Sequence, residues 1–425
     1  MPATDSVGSV TSALSRGMVS RMLLPASATA DARRLVAGRA LRGFADGFVS
    51  VYLAVYLQLL GLSAVQVGAI VTATLLGSAA LTLAVGLVAH RLSPRLVLLG
   101  AALLMLATGI GFAVSHDFWP LLVVAFAGTL NPSSGDVSVF LPTEQAVLTS
   151  EVAAVERTDL FARYTLGGTL LGAFGALASG LPELAATHLG WPLVDAFRAG
   201  FALYGAVAIL IGVLYLGLTR TRAPQADGTG GAPLRRARAV VLRLAALFAL
   251  DSFGGGFAVD AMLALWLFLR FELPLQTAGT IFFAARILSA FSQLVSPRLA
   301  ARIGLIETMV FTHIPANLFL ILAALMPTAP LAVACLLARM ALSQMDVPAR
   351  QSYVMAIVPP EERAAAASVT NVPRSLGTAL APLLAGAMLQ HSTFGWPLIV
   401  GGTLKLAYDL LLLFLFRRLR PAEET

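Results

Sequence analysis

Long apolar runs separated by short polar breaks dominate the chain. Residues 47–89 contain no charged side chain, and this run is about twice the roughly 20 residues that one helix needs to cross a bilayer. Two helices must therefore meet inside it. Gly61, Leu62 and Ser63 predict the turn, because glycine commonly ends a helix and serine commonly begins one. With further breaks the chain is predicted to form twelve spans; these breaks lie near residues 93–94, 117, 156, 183–195, 220–238, 272–274, 298–304, 327–330, 359–363 and 391–396.

The composition supports an all-α membrane protein. The 425 residues are 58% hydrophobic and 12% charged, with a mean hydropathy of +0.84, whereas soluble domains carry about 25% charged residues. These values exclude a soluble enzyme and a disordered chain. Cys335 is the only cysteine, so no intramolecular disulfide can form. We expect no metal and no cofactor, since a lone thiol makes a poor metal site.

The basic residues predict the orientation in the membrane. The chain has 29 Lys and Arg residues and a formal net charge of +7, and most of these residues fall in segments on the side of the two termini. The opposite loops hold only Arg198 and Arg270. The positive-inside rule then places both termini in the cytoplasm, and we expect a multi-pass protein of the bacterial inner membrane. Nucleic acid is not an expected partner, because the basic residues are scattered between apolar runs.

A central segment divides the spans into six and six. Residues 220–238 are rich in Gly, Pro and Ala and are flanked by Arg, which is typical of a tether. The expected boundaries are a cytoplasmic N-terminal tail at 1–32, six-helix bundles at 33–219 and 239–418, a cytoplasmic linker at 220–238 and a cytoplasmic C-terminal tail at 419–425. The N-terminal tail has few acids and several Arg, so a transit peptide is the alternative interpretation.

The two halves resemble each other in sequence. Residues 142–145 (PTEQ) align with 348–351 (PARQ), and Asp46 aligns with Asp251. Internal repeats of this kind mark secondary transporters, in which the substrate binds near the membrane midplane between the repeats. The predicted fold is therefore two pseudo-symmetric six-helix bundles with a substrate site between them.

The loop after span 2 carries a recognisable motif. It reads GLVAHRLSPR over residues 86–95. Gly86, Arg91 and the final Arg95 match the G-x-x-x-D-R-x-G-R signature of the major facilitator superfamily, which the chain resembles over nearly its whole length, while His90 replaces the aspartate of the signature. In that family this loop gates the cytoplasmic side. The resemblance implies a gate formed by Gly86, His90, Arg91 and Arg95, with Arg302 in the weaker counterpart after span 8.

Spans 5 and 11 contain glycine patterns that resemble the proton-antiporter motif G-x-x-x-G-P-x-x-G-G of the same family. The segment from Gly168 to Gly175 keeps the spacing without the proline, and the segment from Gly377 to Gly386 is a closer copy. The resemblance implies proton antiport. Close approach of neighbouring helices is the alternative, because small residues at this spacing allow it.

Ionised side chains within spans need partners or water, because each costs about 2.5 to 3.5 kcal/mol at the bilayer centre. Span 1 carries Arg39, Arg42 and Asp46 on one helical face. We expect Arg39 to extend to the cytoplasmic interface. Asp46 is the first candidate for a proton-exchanging group, the alternative being a static pair with Arg42. Asp251 and Asp136 are further candidates for proton coupling.

Span 10 carries Arg339, Asp346 and Arg350, which would share one face of an unbroken helix. We expect an anionic or hydrogen-bond-accepting substrate to contact Arg339; alternatively, the acids of span 4, Asp136 and Glu144, neutralise these cations. The full set of residues expected in the substrate cavity is Arg42, Tyr52, Tyr56, Asn131, Arg339 and Asp346, with helix packing as the alternative for the two tyrosines.

Two ion pairs are predicted from spacing. Glu144 aligns with Arg350 in the repeat, and a bridge from Glu144 to Arg350 or to Arg91 would help to close the cytoplasmic gate. Lys405 and Asp409 lie four residues apart in span 12 and predict a structural ion pair.

A hinge is predicted in span 7. Asp251 and Asp260 are nine residues apart, so they cannot both face one cavity from an unbroken helix. Gly254, Gly255 and Gly256 lie between them, and glycine within a helix favours a bend or a close approach.

These features together predict a secondary-active transporter that works by alternating access, with proton-coupled export of a small amphipathic organic compound. The alternatives are an uptake symporter for a small organic anion and a non-transporting receptor or scaffold of the same fold. An enzyme is not expected, since no nucleophile and base are paired and no Walker-type nucleotide motif is present. The expected partners are a small-molecule substrate, protons and the lipid bilayer, and the expected state is a monomer.

Overall fold

The computed structural model describes residues 25, 27–88, 92–133, 138–149, 151–152, 156–219, 237–359 and 362–417. Within these ranges all regular secondary structure is helical. Most of the predicted tails and of the predicted linker at 220–238 lies outside the described residues.

The helices form twelve spans. Eleven are long and apolar enough to cross a membrane, and span 4 consists of two shorter helices. A short helix, Leu181–Leu189, follows span 5. In chain order the spans are 1, Ala30–Leu59; 2, Ala64–Val88; 3, Pro94–Val114; 4, Phe118–Ala127 and Phe140–Leu148; 5, Arg157–Ala178; 6, Leu193–Leu216; 7, Arg238–Gly256 and Asp260–Phe271; 8, Leu275–Ile303; 9, Leu305–Leu325; 10, Ala329–Leu342 and Asp346–Ile357; 11, Arg363–His391; and 12, Trp396–Phe416.

Local sequence signals explain several boundaries. The predicted turn between spans 1 and 2 is confirmed: Gly61 adopts a φ of 82°, which favours glycine, and the side chains of Ser63 and Gln66 each accept a hydrogen bond from the backbone N–H of the other. Such reciprocal capping begins a helix. Span 3 begins in a similar way, with Ser93 as its N-cap and Pro94 in its first turn.

Spans 7 and 10 are interrupted near their centres. Span 7 breaks at 257–259, directly after Gly254, Gly255 and Gly256, which are themselves helical. Gly254 and Gly256 allow close packing, because a Cβ there would lie 2.9 Å from the Gly401 carbonyl oxygen and 2.4 Å from that of Thr378, respectively. Span 10 breaks at 343–345, which the sequence pattern did not predict.

Each bundle is built by the same helix pairs. Span 1 packs on span 5 as span 7 packs on span 11, and span 3 packs on span 6 as span 9 packs on span 12. In the first pair a Cβ on Gly43 would lie 2.2 Å from the Gly168 carbonyl oxygen, and one on Gly175 would lie 2.0 Å from that of Phe44. The glycine segment of span 5 therefore serves close helix approach.

The two bundles touch on one face of the molecule and separate on the other. We call the face where span 1 begins and span 12 ends the terminal face, and the other the opposite face. Near the opposite face Ala64 N–H donates to Gln390 Oε1 (3.0 Å) and Gln276 N–H donates to Glu183 Oε2 (3.0 Å). A cavity lies between the bundles, and its lining includes Gln145, Gln293 and Gln351 in the terminal-face halves of spans 4, 8 and 10. The predicted all-helical fold of twelve spans in two bundles is confirmed.

Candidate functional site

The cavity between the bundles has a volume of about 560 Å³, which is within the range of small-molecule sites. It runs from the centre of the molecule to the terminal-face ends of spans 4, 8 and 10. Its polar lining residues are Arg39, Asp46, Ser133, Gln145, Thr165, Thr169, Asp260, Arg286, Ser289, Gln293, Arg339, Gln344 and Gln351.

The two walls differ in chemistry. The described residues that the first bundle contributes are all polar or glycine, from Arg39, Gly43 and Asp46 in span 1 to Thr165, Gly168 and Thr169 in span 5. The second bundle contributes polar groups and also an apolar patch, which comprises Leu263, Leu267, Phe282, Leu336, Leu337 and Met340. A ligand in this cavity meets hydrogen-bonding groups on one side and hydrocarbon on part of the other.

Asp46 lies in the polar wall, close to the centre of span 1. The residue is 6% exposed, and Asn131 from the break in span 4 is a polar neighbour of its carboxyl group. Among the described residues, Arg39, Arg42 and Arg286 are the cations that act on it electrostatically, but none forms an ion pair within 4.0 Å. Asp46 is therefore a carboxylate at a water-accessible cavity, near positive charge, without a direct ion pair in the described part of the chain.

Arg39 lines the cavity and packs on span 5. Its guanidinium lies 5.8 Å from the ring centroid of Tyr164. Gly168 leaves space for the arginine stem, because a Cβ there would lie 2.6 Å from Arg39 Nε. The extension of Arg39 to the cytoplasmic interface stays a prediction.

Arg286 of span 8 connects the two bundles at the cavity. Its Nη2 donates to Asp260 Oδ2 (2.8 Å) in span 7 and to Ser50 Oγ (2.8 Å) in span 1. The sequence analysis considered Asp260 only for its spacing from Asp251 and gave it no partner. Since Asp260 lines the cavity and Asp251 does not, the two acids of span 7 face different environments, as their spacing predicted.

Arg339 also lines the cavity, in the first helix of span 10. Its Nη1 donates to Met340 Sδ (3.2 Å) and its buried Nε has no hydrogen-bond partner. Span 10 is broken at 343–345, and Arg339 lines the cavity whereas Asp346 and Arg350 do not, so the prediction that the three share one face of an unbroken helix is wrong. Asp346 is buried and pairs with Arg350 (3.3 Å), and it does not line the cavity.

The first bundle contains a buried ion pair behind the cavity wall. Arg42 donates to both oxygens of Glu144, each at 2.7 Å, and the hydroxyls of Tyr164 and Tyr215 also donate to Glu144. The Arg42 guanidinium lies 4.6 Å from the Phe140 ring centroid. Arg42 thus packs inside the first bundle and does not line the cavity. The prediction that it is a cavity residue is wrong.

Glu144 does not bridge to Arg350. Glu144 is 0% exposed and its oxygens are occupied by donors from spans 1, 5 and 6, whereas Arg350 lies inside the other bundle. Each group is held in its own half by buried partners, so the predicted bridge between the halves is absent from this structure.

The second bundle contains a larger buried network centred on Asp251. Lys405 Nζ lies 2.5 Å from Asp251 Oδ1, and Arg350 Nη1 lies 3.2 Å from Asp251 Oδ2. Asp409 instead accepts from Asn317 Nδ2 (2.9 Å) and lies 2.8 Å from His313 Nδ1. The predicted Lys405–Asp409 pair is therefore wrong: the lysine reaches across to span 7, and the amide and imidazole of span 9 hold Asp409.

Tyr52 and Tyr56 are not cavity residues. Both are fully buried, and their hydroxyls donate to the Phe197 carbonyl (3.5 Å) and the Phe112 carbonyl (2.9 Å). Their rings pack on Phe197 and Phe201. Helix packing, the alternative interpretation, describes these two residues.

Of the residues assigned to the gate, Gly86, Arg95 and Arg302 lie near the terminal face. Gly86 is exposed, with no atom within 4 Å of a Cβ built on it, and Arg302 is exposed while Arg95 is half-buried. His90 and Arg91, and the proton-coupling candidate Asp136, lie outside the described residues. The described part of the chain groups no three His, Cys, Asp or Glu side chains that could hold a metal ion.

Several lining residues were missed by sequence reasoning. Gln145 and Gln351 both line the cavity, and they occupy matching positions in the aligned PTEQ and PARQ segments. The repeat therefore contained the signal for this pair. Thr165, Thr169, Gln293 and Gln344 show no comparable signal in the sequence.

Comparisons with known proteins agree with this architecture. The model of the Major Facilitator Superfamily matches residues 35–371 and 318–425. An uncharacterised membrane protein of Saccharomyces cerevisiae is 25% identical over 426 residues, which cover 92% of this chain and 94% of the yeast protein.

Solved structures are similar in fold at low sequence identity. The nucleoside transporter NupG has a TM-score of 0.71 at 14% identity and covers 91% of this chain and 99% of its own. A bacterial homolog of the human lysosomal transporter Spinster, inward-facing and occupied, has a TM-score of 0.71 at 17% identity, with 91% and 96% covered. The inward-open xylose transporter XylE from E. coli has a TM-score of 0.69 at 13% identity, with 90% and 94% covered.

Proposed function

Because the chain belongs to the Major Facilitator Superfamily, we propose that it is a proton-coupled secondary-active transporter that moves a small organic molecule by alternating access. The observation that carries the proposal is the central cavity, which opens to the terminal face and is closed towards the opposite face. Alternating access requires two states of the protein, and in each of them the central cavity opens to one face only.

The contacts near the opposite face are those that must break when the transporter changes state. The hydrogen bonds from Ala64 N–H to Gln390 and from Gln276 N–H to Glu183 join spans of different bundles. Glycines also allow close approach between the bundles, because a Cβ on Gly386 would lie 2.3 Å from the Ala64 carbonyl oxygen. The proposed motion separates spans 2 and 11 and spans 5 and 8, while the helix pairs within each bundle stay together.

Asp46 is the proposed proton-carrying group. It faces the cavity and forms no ion pair with a described residue, so it can exchange a proton with cavity water as the cargo binds or leaves. Its repeat counterpart Asp251 is unsuited to this task, since it does not line the cavity and forms ion pairs with Lys405 and Arg350 inside the second bundle.

We further propose that the terminal face lies in the cytoplasm of a bacterial inner membrane, as the distribution of basic residues favours. The structure is then the inward-open state. Export of an amphipathic compound is the proposed direction, supported by the two different walls of the cavity and by the resemblance of residues 377–386 to the family's proton-antiporter motif.

The test uses the purified full-length chain in proteoliposomes that contain a pH-sensitive dye. Compounds are first chosen by comparing growth inhibition of a strain with and without the gene. We expect compound-dependent proton movement in wild-type vesicles, and loss of that movement in Asp46→Asn with compound binding retained. Unchanged coupling in Asp46→Asn would remove the residue from the proton role, and binding without any flux in the wild type would favour a receptor.

A further inference from the structure

The guanidinium of Arg339 is exposed to the cavity without a carboxylate partner among the described residues. Its Nη1 donates to a thioether sulfur, Met340 Sδ, at 3.2 Å, and its Nε is buried without a partner. A thioether is a weak acceptor. A guanidinium in a membrane-embedded site requires charged or strongly accepting partners, and here the described side chains leave most of its donors for a ligand.

The described charged residues of the cavity lining are three cations and two acids: Arg39, Arg286 and Arg339, with Asp46 and Asp260. Asp260 is engaged by Arg286 at 2.8 Å. An anion bound at Arg339 would give this guanidinium the counter-charge that no described acid supplies as an ion pair, and pairing lowers the cost of a charge inside the membrane.

The surroundings of Arg339 define the rest of the ligand. Leu336, Leu337 and Met340 adjoin it on the same helix and line the cavity, and Leu263 and Phe282 extend this apolar patch. On the opposite wall, the lining residues that the structure describes are polar side chains and glycines. A ligand with hydrocarbon beside its anionic group, and with hydrogen-bonding groups on its far side, satisfies both walls.

We propose that the cargo is an amphipathic organic carboxylate and that Arg339 binds its carboxylate group, while Leu336, Leu337 and Met340 contact its apolar part. The proposal rests on the proposed function, because it takes the cavity as the cargo site. A guanidinium and a carboxylate form two parallel hydrogen bonds in one plane, and this geometry distinguishes a carboxylate from the corresponding amide or amine.

The experiment measures binding and needs no transport. Thermal-shift and equilibrium-binding assays on the purified full-length chain compare phenylpropanoate, indole-3-acetate and hexanoate with the amide and the amine of each skeleton. We expect carboxylates to bind, and their amides and amines to bind at least about tenfold more weakly. We expect Arg339→Gln to lose about tenfold or more in carboxylate affinity, Arg339→Lys to lose less, and Arg243→Gln, an exposed arginine outside the cavity, to bind as the wild type does.

Asp136, which lies outside the described residues, provides the decisive comparison. If Asp136 neutralised Arg339 permanently, the wild type would bind no carboxylate and Asp136→Asn would gain binding; that result would overturn the proposal. Equal binding of amides and carboxylates, or full carboxylate affinity in Arg339→Gln, would also overturn it. Carboxylate binding that depends on Arg339, without proton flux in vesicles, would support this site and reject proton coupling.

Discussion

Asp46 and Asp251 occupy equivalent positions in the two halves of the chain, yet one lines the central cavity and the other is held by Lys405 and Arg350 inside its bundle. A duplicated acid has thus acquired two environments. The first has access to water, and the second is surrounded by buried groups that require its negative charge.

The two aspartates predict different mutant behaviour. Asp251→Asn leaves Lys405 and Arg350 buried with one counter-charge fewer, and we expect it to reduce the free energy of unfolding by several kcal/mol, roughly 3 to 5. Asp46→Asn breaks no ion pair among the described residues and should unfold near the wild-type temperature. Thermal unfolding of both variants in the same detergent makes the comparison; equal melting temperatures for the two would contradict it.

Lys405 offers a second prediction, since its partner differs from the one that spacing suggested. In a double-mutant cycle, Lys405→Met and Asp251→Asn should show a coupling of about 1 kcal/mol or more, because each removes the other's contact. Lys405→Met and Asp409→Asn should couple more weakly. Chemical or thermal unfolding of the single and double variants provides the values, and the reverse ranking would restore the pairing within span 12.

The Arg42–Glu144 pair should stabilise the first bundle only as a pair. Glu144→Gln leaves a buried guanidinium without its counter-charge and is expected to cost about 3 to 5 kcal/mol. Replacing both residues, as Arg42→Met with Glu144→Leu, should recover much of that loss. The measurement compares the melting temperatures of the wild type, of Glu144→Gln and of the double variant. Wild-type stability of Glu144→Gln would show that the charge of Glu144 is not needed.

The contact of spans 1 and 5 can be tested with two glycines of the same helix. A Cβ on Gly175 would meet the Phe44 carbonyl oxygen at 2.0 Å, whereas one on Gly167 finds only the Ala40 Cβ, at 3.9 Å. Gly175→Ala should therefore destabilise the protein by about 1 to 3 kcal/mol. Gly167→Ala should be neutral or slightly stabilising, because alanine favours helix. Similar melting temperatures for the two variants would reject the close packing.

The contacts near the opposite face should control the exchange between states. In a Cys335→Ala background, cysteines at Ala64 and Gln390 joined by a short bismaleimide should hold the cavity open to the terminal face. We expect transport to fall to the level of empty vesicles while ligand binding persists, with the uncrosslinked double cysteine variant as control. Normal transport in the crosslinked protein would rule out separation of spans 2 and 11 during the cycle.

The fold was predictable because the bilayer imposes strong requirements on length and hydrophobicity. Residues 47–89 had to hold two helices, and the turn at Gly61 followed from the properties of glycine and serine. The two-fold organisation followed from aligned segments, since duplicated bundles keep similar residues at equivalent places. These arguments need no knowledge of side-chain partners.

The site was less predictable because it depends on which residues are neighbours in space. Treating span 10 as one helix placed Arg339 and Arg350 on a common face, and the break at 343–345 separates them. The rule for residues four apart paired Lys405 with Asp409, but the acid of another span lies closer to the ammonium group. Spacing limits the possible partners of a charged side chain, and the packing of other helices selects among them.

The hydrogen bonds of Arg286 to Asp260 and Ser50 have a consequence for the rate of the cycle. This guanidinium forms hydrogen bonds to both bundles near the centre of the molecule. Any rotation of one bundle against the other must therefore lengthen or reorient these hydrogen bonds. A cargo able to substitute for the serine hydroxyl would loosen them, and the empty carrier would then change orientation more slowly than the loaded one.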